Sequence, residues 1–97
     1  MALFLVKVSF IDDVEKRMSV RPKHREFLTN LFETGRLYAA GPFLDEKGGI
    51  SIYEASDLAE AEATLAKDPY AINGIFATTE IREWNAILTR GAVSAAD

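Results

Sequence analysis

The chain has 97 residues, of which 48% are hydrophobic and 27% charged, as expected for one globular domain rather than a disordered chain. It contains no cysteine, which excludes a disulfide framework, a thiolate zinc site and a thiol nucleophile. The net charge of −4 argues against nucleic acid as a partner, because phosphate contacts need a basic surface.

The N-terminal segment has no basic region followed by a long apolar core, so no secretory signal is predicted. No apolar run approaches the roughly 18 residues that a membrane span needs. We therefore predict no membrane partner and a cytoplasmic location. The domain is assigned to residues 1–88, and residues 89–97 are expected to form a flexible C-terminal tail.

The first half of the chain predicts a strand and then a helix. Leu3–Phe10 is apolar on both faces at its start, as in a central strand that is covered twice. Ile11–Arg21 is polar and is predicted to be a connection. Pro22 indicates the start of a helix, because proline suits the first helical turn. The helix then carries an apolar stripe and ends near Gly35; the stripe is Phe27, Leu28, Leu31 and Phe32.

The second half predicts two strands, a helix and a last strand. Leu37–Leu44 is interrupted by Gly41-Pro42, which is typical of an edge strand or its end. After a turn over Asp45–Gly49 come three elements: a strand over Ile50–Ala55, a helix capped by Ser56 and ended by Asp68-Pro69, and a strand over Ile75–Trp84.

The order β-α-β-β-α-β predicts an α+β, ferredoxin-like fold, with a four-stranded antiparallel sheet in the order 4-1-3-2. Both helices would cover one face of the sheet. Apolar residues of the first strand, together with Tyr53, Phe76 and Trp84, would still need cover. We therefore predict a homodimer that packs through the other sheet face.

His24 is the only histidine, and it lies on the apolar stripe of the first helix, directed toward the sheet. Near neutral pH a histidine is well suited to general acid–base catalysis. Asp68 follows the second helix, and it would orient the imidazole if the two side chains meet. Each residue also has a structural interpretation: His24 packs at the helix start, and Asp68 stabilises a local turn.

Three further positions are candidates for substrate binding. Arg21 lies three residues before His24 and would bind an anionic group, or else it is a solvated surface arginine. Gly41 and Pro42 let a substrate approach the backbone, or else they only end a strand. The Tyr70 hydroxyl contacts a ligand, or else the ring packs the loop.

Several motifs are absent from the sequence. There is no G-x-G-x-x-G, no Walker-type loop and no G-x-S-x-G. Glu54, Glu60 and Glu62 are interpreted as a solvated acidic surface, because no histidine or aspartate joins them at ligand spacing. We therefore predict no cofactor and no metal site.

The order of these short motifs resembles the YCII-related family. The pattern consists, in chain order, of Arg21-x-x-His24, Gly35-Arg36-Leu37, Ala40-Gly41-Pro42, Ser56, Asp68-Pro69-Tyr70, Gly74 and Trp84. The resemblance implies a ferredoxin-like fold, a dimer of the dimeric α/β-barrel type, and an active site whose histidine and aspartate match His24 and Asp68.

Together these observations favour a cofactor-free enzyme that acts on a small organic molecule, aromatic or anionic, as a lyase of dehydrochlorinase type, an isomerase or a hydrolase. Its proton transfer would use His24 and Asp68. The alternative is a dimeric module that binds a small ligand without converting it. A third possibility is an interaction domain whose open sheet face is its whole function.

Overall fold

The computed structural model describes residues 1–90, so most of the predicted tail over 89–97 lies outside the described part of the chain. In chain order its elements are β1 (Ala2–Phe10), α1 (Val14–Glu33), β2 (Leu37–Pro42), β3 (Gly48–Ala55), α2 (Leu58–Ala66), α3 (Pro69–Ile72) and β4 (Phe76–Trp84). The strands form one antiparallel sheet in the order β2-β3-β1-β4. The predicted ferredoxin-like topology is confirmed.

The core lies between the sheet and the helices. Phe4 and Val6 of the central strand β1 are buried on this face, with Tyr53 of β3 directly opposite Phe4. α1 packs against β2 and α3, while α2 packs against β3 and β4. Within residues 1–90, no helix is both long and apolar enough to cross a membrane.

Tyr53 and Phe76 lie on the face of the sheet that the helices cover, whereas the sequence pattern predicts them on the uncovered face. Tyr53 is 1% exposed in the core. Phe76 faces the same side because the register shifts between Ser9 and Phe10 of β1, so that Phe10 pairs with Phe76. Trp84, opposite Leu3, does lie on the uncovered face and is 42% exposed.

The predicted start of the first helix at Pro22 is wrong, and so is the predicted connection over Ile11–Arg21. α1 begins at Val14, and the Asp13 side chain caps it by accepting a hydrogen bond from the Lys16 N–H at 3.0 Å. Pro22 therefore lies inside the helix, where it has no N–H to donate to the carbonyl of Met18. The cap at Asp13 makes the helix begin eight residues before the predicted start.

Other boundaries also differ from the predicted ones, and β2 ends at Pro42 rather than at Leu44. Asp57, not Ser56, caps α2, and its carboxylate accepts a 2.8 Å hydrogen bond from the Glu60 N–H. β3 begins at Gly48, where the neighbouring strand β1 approaches so closely that a side chain would collide with the Val8 carbonyl oxygen.

Replacing Pro22 with alanine is expected to stabilise the domain, since alanine restores the missing helical hydrogen bond. We expect a gain of about 1–3 kcal/mol in the free energy of unfolding, measured by urea denaturation. Pro69→Ala is the control, because proline is favourable at the start of α3, where no gain is expected. A loss of stability in Pro22→Ala would show that α1 needs the proline.

Candidate active site

One stripe of α1 changes from polar to apolar along the helix. Arg17, Arg21, His24, Leu28 and Leu31 are three or four residues apart, so they share a face. The first three line a cavity between α1 and the sheet, while Leu31 is buried in the core. Sequence reasoning missed Arg17 because this residue lay in the predicted connection.

His24 and Asp68 meet at the floor of this cavity, although 44 residues separate them in the sequence. Nδ1 of His24 lies 2.7 Å from Oδ1 of Asp68. The same oxygen accepts a 2.8 Å hydrogen bond from the Tyr70 N–H and thereby caps α3. A single carboxylate oxygen therefore fixes both the start of α3 and the orientation of the imidazole.

This hydrogen bond assigns different roles to the two ring nitrogens of His24. An ionised carboxylate only accepts hydrogen bonds, so the nitrogen that faces Asp68 must carry a proton. In the neutral imidazole the proton is then on Nδ1, and Nε2 is free to accept one. With 17% of its side chain exposed, His24 is both held in place and accessible to a small molecule.

Tyr70 packs flat against the imidazole. The ring centroids of His24 and Tyr70 are 3.8 Å apart and their planes differ by 4°. Phe10 and Phe76 meet Tyr70 edge to face, at centroid distances of 5.6 and 5.8 Å. These contacts restrain the imidazole ring, since the Asp68 hydrogen bond fixes one of its edges and Tyr70 covers one of its faces.

Two tyrosines near Asp68 keep their protons at neutral pH. Burial raises the pKa of Tyr53, and the negative charge of Asp68 adds to the effect. Burial also raises the pKa of Tyr70, against the opposing positive charges of Arg17 and Arg21. Both residues line the cavity. They therefore present neutral hydroxyl groups, which can donate hydrogen bonds.

Arg17 is almost fully buried, at 7% exposed, and its guanidinium lies 4.9 Å from the centroid of the Phe10 ring. Its ion pair with Glu46, a residue of the β2–β3 hairpin, spans 3.9 Å. Arg21 is partly exposed, and its Nη1 contacts the sulfur of Met18 at 3.3 Å. Two guanidinium groups therefore face the cavity beside His24.

The cavity has a volume of about 600 Å³ and gathers every residue that the sequence singled out as a candidate. Arg21, His24, Asp68 and Tyr70 line it from the helices, and Gly41-Pro42 lines it from β2. A side chain at Gly41 would meet no other atom within 4 Å, so packing does not require glycine there. Arg17, Arg25, Glu46 and Tyr53 complete the charged and phenolic part of the lining.

The donor set of this cavity does not resemble a metal centre. Within residues 1–90, no three histidine or acidic side chains come together as metal ligands. The carboxylate of Asp68 is already engaged by His24 and by the backbone of Tyr70.

Several solved structures resemble this fold, and two of them are enzymes that act on small molecules. A 5-chloro-2-hydroxyhydroquinone dehydrochlorinase from Burkholderia phenoliruptrix, in complex with 2,5-dihydroxybenzoquinone, superposes with a TM-score of 0.76 at 25% identity, covering 86% of this chain and 93% of that one. Muconolactone isomerase superposes with a TM-score of 0.63 at 16% identity, covering 94% of each chain. At that identity the isomerase supports the fold alone.

Sequence comparison gives a consistent result. Protein YciI of Escherichia coli is 33% identical over 86 residues, which cover 78% of this chain and 88% of that protein. The uncharacterized protein YjpA of Bacillus subtilis is 41% identical over 61 residues, covering 63% of this chain and 71% of that protein. The profile of the YCII-related domain matches residues 2–85. The resemblance seen in the short motifs is confirmed, and the chain belongs to the YCII-related domain family.

Proposed function

We propose that this protein is a cofactor-independent enzyme that transfers a proton on a small planar organic substrate, with His24 as the base or acid. The observation that carries the proposal is the 2.7 Å contact between His24 Nδ1 and the buried Asp68 in a cavity of about 600 Å³. Asp68 holds the tautomer and stabilises the imidazolium that forms when His24 takes a proton.

The lining of the cavity suits a ring-shaped, oxygen-bearing substrate. Phe10, Tyr70 and Phe76 offer aromatic surface, and Tyr53 and Tyr70 offer neutral hydroxyl donors. Arg21 would orient an oxygen that carries negative charge, and Gly41-Pro42 would form the rim at β2.

The first reaction to test is the loss of HCl from a chlorinated hydroxyhydroquinone, because a dehydrochlorinase of this kind shares the fold. In such a step the carbon that carries chlorine takes up a proton while one ring hydroxyl loses its own. A base then removes the proton of a second hydroxyl, the electrons of that O–H bond move into the ring, and chloride leaves with the electrons of its bond to carbon. His24 would remove that proton through Nε2. Isomerisation would use the same proton transfer, with the proton returned to another atom.

The test is chloride release from 5-chloro-2-hydroxyhydroquinone by the wild type, His24→Gln and Asp68→Ser. Serine keeps the helix cap of α3 but cannot reach the imidazole. We expect release by the wild type, with a loss of about 100- to 10,000-fold in His24→Gln and a large loss in Asp68→Ser.

The matched control is Asp57→Ser, the same substitution at the cap of α2, away from the cavity, and its rate should stay at that of the wild type. Full turnover by His24→Gln would refute the proposed role of this residue. A ligand that binds and is recovered unchanged would favour the non-catalytic binding module instead.

We also propose that a second copy of the chain covers the open sheet face. Leu3, Leu5 and Trp84 lie there without cover from either helix. Lys7 of β1 lies opposite Glu80 of β4 on the same face, so this surface carries a positive and a negative charge. In a two-fold dimer the lysine of one copy can therefore face the glutamate of the other.

Analytical ultracentrifugation tests this pairing. The wild type should sediment as a dimer, and Leu5→Glu as a folded monomer, because a charge would be buried at the contact. Leu44→Glu is the control, since Leu44 is fully exposed in the β2–β3 hairpin, and it should remain dimeric. Circular dichroism separates dissociation from unfolding, and a monomeric wild type would contradict the proposal.

A further inference from the structure

Arg17 has more donor capacity than its protein contacts use. The residue is 7% exposed, yet within residues 1–90 its one ion pair is the 3.9 Å contact with Glu46, whose side chain is 65% exposed. No fully buried polar side-chain atom in the same part of the chain lacks a hydrogen-bond partner. The Tyr70 hydroxyl also interacts with this guanidinium by a hydrogen bond. The remaining donors of Arg17 belong to the lining of the cavity, where a ligand can meet them.

The charge of the cavity differs from that of the whole chain. The protein has a net charge of −4, but three of its six arginines line the cavity, and none of its five lysines does. The facing acidic groups are Asp68, which is engaged by His24, and Glu46. Guanidinium groups match the two oxygens of a carboxylate better than ammonium groups do, so the arginines favour a planar anion.

Glu46 occupies an unusual backbone position for a residue with a side chain. Its φ is 61°, in the left-handed region that glycine and asparagine adopt at lower cost. A glutamate at this hairpin position places its carboxylate beside Arg17 at the mouth of the cavity. The contact is long and solvated, so a ligand carboxylate that reaches Arg17 can displace it at little cost.

Tyr70 lies between Arg17 and the reacting histidine. It stacks on His24, and its hydroxyl interacts with Arg17 both through the charge of the guanidinium and by a hydrogen bond. Arg17 and His24 are seven residues apart on one stripe of α1, which corresponds to roughly 10 Å along the helix axis. A molecule of about one aromatic ring with a carboxylate substituent spans this distance.

We propose that Arg17 binds a carboxylate group of the substrate, and that Glu46 pairs with Arg17 only until this carboxylate displaces it. The proposal rests on the proposed function for what happens at His24, but binding of the carboxylate by itself requires no proton transfer. It thus assigns a substrate class, small aromatic carboxylates, and a specificity-determining residue.

Binding of two matched probes tests the proposal. Salicylate carries a carboxylate, and salicylamide replaces it with an uncharged amide of nearly the same shape. Both are titrated into the wild type by isothermal titration calorimetry, and the imidazole resonances of His24 are followed by NMR. We expect salicylate to bind more tightly than salicylamide and to shift these resonances. Equal affinities, including no detectable binding of either probe, would overturn the proposal.

Two variants then locate the charge recognition. Arg17→Gln should weaken the binding of salicylate about 10- to 100-fold, because a charge-assisted hydrogen-bonded pair is lost. The affinity for salicylamide should not change. Arg36→Gln is the control, because it makes the same charge change at an exposed position outside the cavity. If both variants lower the affinity for salicylate equally, the effect comes from the net charge of the protein and the proposal fails.

Glu46→Gln provides a test that does not depend on a buried residue. The side chain is exposed, so folding should be unaffected, and salicylate should bind up to about 5-fold more tightly once the competing carboxylate is gone. Glu33→Gln, at the exposed end of α1, should change nothing. Unchanged or weaker salicylate binding in Glu46→Gln would refute the displacement.

His24→Gln separates this proposal from the proposed function. It should abolish proton transfer but retain the preference for salicylate over salicylamide, since Arg17 is intact. Loss of that preference would show that His24, rather than Arg17, binds the carboxylate. Conversely, intact turnover in His24→Gln would refute the enzymatic role and leave the binding result valid.

Discussion

The hydrogen bond between Asp68 and His24 is the contact on which the site depends. A carboxylate that is 2% exposed is costly to bury unless it is paired, and here one oxygen receives both the imidazole N–H and the first backbone N–H of α3. The pairing ties α1 to the segment that follows α2. The contact thus joins two parts of the chain that are 44 residues apart, and both of its residues line the cavity.

The position of Tyr70 follows from the same contact. Because Asp68 caps α3, the residue two positions later places its ring flat on the imidazole, with Phe10 and Phe76 at its edges. This aromatic cluster closes one end of the space between α1 and the sheet. Arg17 and Arg21 line the same space, so its polar and apolar parts are continuous and suit a ring that carries an oxygen substituent.

The fold was predictable from the sequence because alternation in β1 and the order of elements leave few topologies. The candidate residues followed from short motifs around His24 and Asp68, but no pattern gives a contact between side chains that are 44 residues apart. Arg17 was missed because Pro22 suggested a helix start, and the cap at Asp13 overrides that signal. Phe76 lies on the helix-covered face of the sheet because of a register shift in β1, which the alternation of apolar and polar residues in the sequence does not reveal.

The most direct test of this account is the tautomer of His24, read from the long-range ¹H–¹⁵N NMR spectrum of its imidazole, whose signals are unambiguous because the chain has one histidine. For the neutral ring, the account predicts a proton on Nδ1 and a free Nε2 in the wild type. This preference should be lost in Asp68→Ser and retained in Asp57→Ser. A wild-type ring with its proton on Nε2, or an Asp68→Ser spectrum identical to that of the wild type, would contradict the central role of the pair.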